Sequence, residues 1–119
     1  VTYRFKLRTN ATFHDGTPFT SELVKFSFER AVAPDSTNAQ RQLFAPIAAI
    51  ETPDPVTVVI TLKQPTANFL YGLAWGDAVI VAPASAANNK TSPVGTGPFK
   101  FVRWNRGDRL ELARNDAYW

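Results

Sequence analysis

An α+β fold, with a mainly antiparallel sheet and a few short helices, is predicted by three features of this sequence. Residues 2–8 alternate, placing Tyr3, Phe5 and Leu7 on one side and Arg4, Lys6 and Arg8 on the other, which is the period of a half-buried strand. Residues 21–32 carry apolar side chains at helical spacing, with Val24, Phe28 and Ala31 in one stripe. Two further pairs of strand-like runs flank the turn sequences Pro53-Asp54-Pro55 and Asn105-Arg106-Gly107-Asp108, so neighbouring strands reverse tightly and pair antiparallel.

Between the first strand and the helix lies Phe13-His14-Asp15-Gly16-Thr17-Pro18-Phe19-Thr20. Glycine reaches positive φ without a Cβ clash and aspartate can bond amides two residues on, so a tight reversal is expected at Asp15-Gly16. Pro18 pushes Thr17 towards an extended conformation, and Thr20 is the expected N-cap of the helix at 21–32, which Pro34 ends. Phe26 and Phe28 sit at helical spacing and are expected in the core rather than on a ligand platform.

Residues 38–44 suggest a second short helix, ended by Pro46. The runs 47–52 and 56–62, rich in β-branched residues, form one strand pair. After Pro65 an apolar helical run at 69–74 leads into Trp75-Gly76-Asp77 and an extended segment at 78–82, followed by a small helix at 83–87. The runs 99–104 and 110–114 form the last hairpin, with Gly107 suited to its turn.

Composition narrows the function. A chain of 119 residues fits one domain or part of one and buries roughly two thirds of its unfolded surface. The net charge of +3 comes from thirteen basic residues scattered among ten acidic ones, without the basic block that a nucleic-acid partner requires. With no cysteine and one histidine, thiolate metal sites and disulfides are absent, no ordered carboxylate spacing offers another metal site, and no cofactor motif is present. No apolar run is long enough to cross a bilayer. The strand pattern starts at Val1 and the chain stops at Tyr118-Trp119, so continuation into a longer chain is expected at both ends.

Catalytic readings fail one by one. His14 and Asp15 are adjacent in a turn, where they rarely point together, and no serine or cysteine nucleophile has a supporting pattern. Gly95-Thr96-Gly97 lacks the lysine and hydroxyl of a phosphate loop and leads into a strand rather than a helix. Arg106-Gly107-Asp108 is the tripeptide that integrins read, yet it is also ordinary hairpin chemistry. Trp75-Gly76-Asp77 is the best binding candidate. It combines a flat apolar face, a close backbone approach and an ammonium acceptor at an expected helix-to-strand junction. A binding module fits better than an enzyme.

The strand Tyr3-Arg4-Phe5-Lys6-Leu7-Arg8, the stretch Phe13 to Thr20, Val24-Lys25-Phe26-Ser27-Phe28, Pro93-Val94-Gly95-Thr96-Gly97-Pro98-Phe99 and Arg114-Asn115-Asp116-Ala117-Tyr118-Trp119 follow in order along the whole chain. Together they resemble family 5 of the bacterial extracytoplasmic solute-binding proteins, the dipeptide, oligopeptide and nickel-binding components of ABC importers. The resemblance implies a fragment of a two-lobed, periplasmic-binding-protein-like type II fold. Residues 1–92 would belong to the small subdomain and residues 93–119 would form a strand hairpin of the first lobe, joined near Thr96-Gly97. It implies a substrate-binding component that captures a peptide or similar small solute and delivers it to a membrane permease. The location would be periplasmic or extracellular, with a lipid anchor upstream as one option. His14 and Asp15 would be scaffold, while Trp75, Gly76 and Asp77 would face the cleft, with much of the specificity supplied by the other lobe. Alone, the fragment is expected not to bind solute tightly, and to self-associate through apolar surface near Phe99, Phe101 and Trp119. The alternative is an independent extracellular carbohydrate-binding or adhesion module, suggested by 13% aromatic content and the Arg-Gly-Asp turn.

Overall fold

The computed structural model describes residues 1–119, which form two compact units. The first comprises Val1–Leu7 and Thr20–Ile80, the second Arg8–Phe19 and Val81–Trp119.

The first unit is built on a three-stranded antiparallel sheet in the order β1-β3-β2, with β1 at Thr2–Lys6, β2 at Ile47–Asp54 and β3 at Thr57–Leu62. The central strand carries the core: Thr57, Val58, Val59, Ile60 and Leu62 are all buried, as a strand paired on both edges and rich in β-branched side chains should be. Register places Tyr3 opposite Ile60 and Phe5 opposite Val58, so the apolar half of the alternating β1 pattern shares a face with the most buried part of β3. Tyr3 also packs on Phe69, with ring centroids 5.4 Å apart.

Helix α1, Ser21–Val32, buries Val24, Phe28 and Ala31, the stripe expected from their spacing, while Phe26 is only half-buried. Phe28 meets Phe44 at 5.1 Å. The helix start differs from expectation. Thr20 occupies the N-cap position in an extended conformation, but its hydroxyl makes no cap bond. Ser21 instead anchors the first turn to the β2–β3 reversal: its N–H donates to the Pro55 carbonyl at 2.9 Å and its Oγ to the Asp54 carbonyl at 2.6 Å. In the same turn the Thr52 hydroxyl donates to Glu22. A tertiary partner has replaced the local cap.

Only Arg41–Phe44, a 3-10 helix, forms where a helix over 38–44 is expected. The Asn38 side chain accepts the Gln40 N–H at 2.8 Å, and this local turn competes with helical bonding before residue 41. Helix α2, Phe69–Leu73, packs tightly on that piece: a Cβ at Gly72 would lie 3.1 Å from Leu43 Cδ2. No strand forms at 78–82, where an extended segment is expected: Ala78 lies in a bend, while Ala82 is extended with φ −85° and ψ 139°.

In the second unit, the Asp15-Gly16 reversal forms as the sequence predicts. Gly16 has φ +89° and the Thr17 N–H donates to Asp15 Oδ1 at 2.9 Å. That N–H, followed by the Thr17 hydroxyl, holds the Asp15 carboxyl below its ordinary pKa. Phe13 is 2% exposed, closes the turn through its N–H to the Thr17 carbonyl at 2.8 Å, and lies 6.2 Å from the Phe19 ring. The short helix α3, Pro83–Ala86, precedes a two-stranded antiparallel sheet of β4, Phe99–Asn105, and β5, Arg109–Arg114. Gly107 turns that hairpin with φ +80°. Glu111 bridges Arg103 and Arg109, each at 2.7 Å, and these guanidiniums hold its carboxyl below the usual range.

Candidate solute-binding site

The segment that carries Trp75, Gly76 and Asp77 keeps turning after α2. The Trp75 N–H donates to the Gly72 carbonyl and the Ala78 N–H to the Trp75 carbonyl, both at 3.1 Å, so the chain reverses at Gly76-Asp77. The candidate residues therefore sit on a helix-to-turn junction, not a helix-to-strand one. Hydrogen bonds with near neighbours satisfy this backbone where a strand would have needed a partner.

A second loop meets this turn. Ser36 Oγ accepts the Asn38 N–H at 3.2 Å, and Asn38 Nδ2 donates to the Asp77 carbonyl at 2.9 Å. Both ends of the Asn38 amide are thus used, one to shape its own loop and one to hold the turn. Between this pair of loops and the C-terminal half of α1 lies a groove of about 500 Å³, within the size range of small-molecule sites.

Gly76 and Asp77 line that groove together with Ser27 and Arg30 of α1 and with Asp35, Ser36, Thr37 and Asn38. Trp75 does not. It is 44% exposed and packs edge-on against Tyr71, with centroids 6.0 Å apart and planes at 76°. Asp77 is half-buried, and none of Arg30, Asp35 and Asp77 is tied up in an ion pair. The walls thus offer one guanidinium, two carboxylates and several hydroxyls, a set suited to a polar, charged solute. Arg30, Asp35 and Asn38 were not singled out from sequence. Ser27 and Arg30 recur at helical spacing, but nothing local ties them to residue 77.

The histidine has a structural place. Its backbone N–H donates to the Gly95 carbonyl at 2.8 Å, its Nε2 meets the Gly97 carbonyl at 2.9 Å, and the Gly95 N–H meets its Nδ1 at 3.3 Å. A carbonyl on one side and an N–H on the other define the neutral tautomer with its proton on Nε2. Gly97 also accepts from Asn115 Nδ2 at 3.1 Å, and the buried Asn115 donates its N–H to the Pro98 carbonyl at 2.8 Å. His14 and Asn115 therefore clamp the Gly95-Thr96-Gly97 turn from two sides. No group of three His, Cys, Asp or Glu side chains is placed to hold a metal ion, and no helix is long and apolar enough to cross a membrane.

Comparison with known proteins places these features in context. The family model described as bacterial extracellular solute-binding proteins, family 5 middle, matches residues 1–119. Glutathione-binding protein GsiB of Pectobacterium atrosepticum is 38% identical over 123 aligned residues, covering all of this chain and 24% of that protein. Among solved structures, AgaA from A. tumefacien R10 in complex with agropinic acid superposes with a TM-score of 0.91 at 41% identity, over 99% of this chain and 25% of its own. The periplasmic binding protein DppA from Helicobacter pylori, in complex with the peptide STSA, superposes at 0.86 and 30% identity, over 100% of this chain and 28% of its own. The chain spans about a quarter of the length of the curated relatives it matches. Its fold is that of a segment of the type II periplasmic binding proteins.

Proposed function

We propose, since this chain belongs to family 5 of the bacterial extracellular solute-binding proteins, that it is one segment of the substrate-binding component of an ABC importer. The family's members are solute-binding proteins, not enzymes. The observation that carries the proposal is the family match along the whole chain. The complete protein captures a peptide or similar small solute outside the cytoplasmic membrane and passes it to a permease. It is periplasmic or extracellular, and a lipid anchor upstream is part of the proposal.

Residues 1–92 form its small subdomain and residues 93–119 a hairpin of its first lobe, with the clamped Thr96-Gly97 turn as the joint. The groove beside Gly76 and Asp77 is the face this segment offers to solute. Trp75 contributes from the exposed surface next to it. A peptide is favoured because the groove walls present charges of both signs. The related proteins point the same way, one named for glutathione and one solved with a peptide.

The reading as a separate adhesion or carbohydrate-binding module gains nothing from the hairpin tip. Arg106 lies over the Trp104 ring at 5.0 Å and Asp108 pairs with Arg109 at 3.1 Å, so the Arg-Gly-Asp side chains are already engaged.

Calorimetric titration of the full-length protein with di- and tetrapeptides and glutathione tests the proposal. Saturable binding, with a Kd of about micromolar or tighter, is expected for at least one of them. The isolated 119-residue chain should give no saturable heat, because one wall of a cleft cannot take a small solute out of water. Peptide binding by the isolated chain as tight as that of the full protein would overturn the two-lobed part of the reading.

A second expectation concerns the hairpin. Phe99 is 59% exposed and Leu110 56%, with Val102, Trp104 and Leu112 similarly open, and Phe101 is half-buried. Trp119 is partly covered by Arg8, whose guanidinium carbon lies 4.1 Å from its ring centroid. Such an apolar surface favours association. Sedimentation velocity of the isolated chain should show concentration-dependent dimers or larger species, and Leu110→Lys should reduce them. A monomer at all concentrations would contradict this.

A further inference from the structure

Both ring nitrogens of His14 are engaged by a turn that lies 81 and 83 residues further along the chain. Nε2 donates to the Gly97 carbonyl at 2.9 Å and Nδ1 accepts the Gly95 N–H at 3.3 Å. The ring also lies against Gly95, where a Cβ would sit 3.8 Å from its Cε1. The two bonds differ in what they ask of the imidazole. The first needs a proton on nitrogen and is strengthened when the ring becomes positive. The second needs a bare lone pair, which only the neutral ring possesses. A second ring proton has one place to go, Nδ1, and there it meets the Gly95 N–H donor against donor.

We propose that His14 is a pH-sensitive latch on the Gly95-Thr96-Gly97 turn, closed while the imidazole is neutral and open at the Gly95 end once it is protonated. Histidine is the side chain whose charge ordinarily changes at roughly pH 5–8. The accepting form is the deprotonated one, so the latch is complete on the alkaline side of that range and is lost as the pH falls. Only one end of the turn is released. Gly97 keeps both of its donors, the ring Nε2–H and Asn115 Nδ2 at 3.1 Å, and the His14 N–H still reaches the Gly95 carbonyl at 2.8 Å. The Gly95 N–H loses its partner, and the turn gives way at its first residue.

The surroundings leave this change to the imidazole. On its own turn the charged neighbour is Asp15, held below the ordinary carboxylate range first by the Thr17 N–H and then by the Thr17 hydroxyl. Its charge is therefore constant where histidine titrates, and it offsets an imidazolium beside it. The segment packed on the ring, residues 91–99, contains no charged side chain. On the Asn115 side, Arg114 and Asp116 are already paired with each other at 3.0 Å.

Amide exchange of the full-length protein tests the latch, measured at about pH 7.5 and about pH 5, on either side of the histidine range. Each rate is divided by that of an unstructured chain at the same pH. Protection at Gly95 should fall about tenfold or more between the two conditions, with no change at Val58 and Ile60 of β3. His14→Gln is the discriminating variant. Its amide offers one acceptor and one donor at every pH, so its protection of Gly95 should not depend on pH. His14→Ala offers no acceptor at any pH, and its Gly95 should be as weakly protected under both conditions as that of the wild type is under the acidic one. Thermal melting at both pH values identifies the variants that fold, and His14→Ala carries the comparison if His14→Gln does not. Equal protection of Gly95 under both conditions in the wild type, or the same loss in a folded variant, overturns the latch. Neither result bears on solute capture, which is read by titration, so the two readings fail separately.

Discussion

Phe13→Ala should lower the unfolding free energy of the full-length protein by about 3–5 kcal/mol, the range for truncating a fully buried aromatic side chain. Phe13 is 2% exposed and, with the Phe19 ring at 6.2 Å, packs inside the reversal that opens the second unit. Its backbone also closes that reversal, by donating to Thr17 and accepting from Gly16 at 2.8 and 2.9 Å. Truncation would leave a cavity in a turn already constrained by Gly16 and Pro18, so little relaxation is available to shrink it. Denaturant unfolding, followed by tryptophan fluorescence, gives the number. A loss under about 1 kcal/mol would mean that the turn packs against much less than the structure describes.

His14→Ala is the second large effect, about 1–3 kcal/mol. The ring joins Gly97 and Gly95 at 2.9 and 3.3 Å, and without it the Gly95 N–H loses its acceptor while Gly97 keeps only Asn115. The cost falls on one turn, so a local probe is more telling than global stability. Amide exchange at Gly95 should accelerate about tenfold or more, with little change at residues of β3. A scaffold role also predicts that the variant, once folded, keeps its solute affinity within a factor of about two, because His14 lines no part of the groove. Loss of binding with unchanged stability would give the histidine a direct role in the site.

The fold was legible where local chemistry decides. Alternation in residues 2–6, the Val24, Phe28 and Ala31 stripe, and the turns at Asp15-Gly16 and Asn105–Asp108 all express short-range preferences that the tertiary structure does not override. Where a distant partner decides, the sequence is silent. Thr20 looks like a cap by every local rule, yet Ser21 finds the carbonyls of Asp54 and Pro55 more than thirty residues on. Residues 78–82 read as extended, and Ala82 is, but a strand also needs a neighbouring strand to ladder with, and no strand forms there.

The candidate site divides in the same way. Trp75, Gly76 and Asp77 could be picked out because a flat apolar face, a close backbone approach and a carboxylate follow an apolar helical run, though only Gly76 and Asp77 line the groove. Arg30 and Asp35 could not, since what ties the neighbouring loop to Asp77 is the Asn38 amide, 39 residues from its partner carbonyl, and nothing local announces that bond. The same holds for His14, whose bond to Gly97 spans 83 residues. Its structural role could be inferred from the absence of a catalytic partner, but the identity of its partners could not.

The central claim is that this segment supplies one wall of a solute cleft, at the groove formed by the 35–40 loop and the 75–79 turn. Hydrogen–deuterium exchange on the full-length protein, with and without a saturating peptide, tests it most directly. Peptides spanning residues 35–40 and 75–79 should become protected on binding, while those spanning the β4–β5 hairpin turn at 105–108 remain unchanged. Protection that leaves both loops untouched, in a protein that demonstrably binds the peptide, would contradict the account.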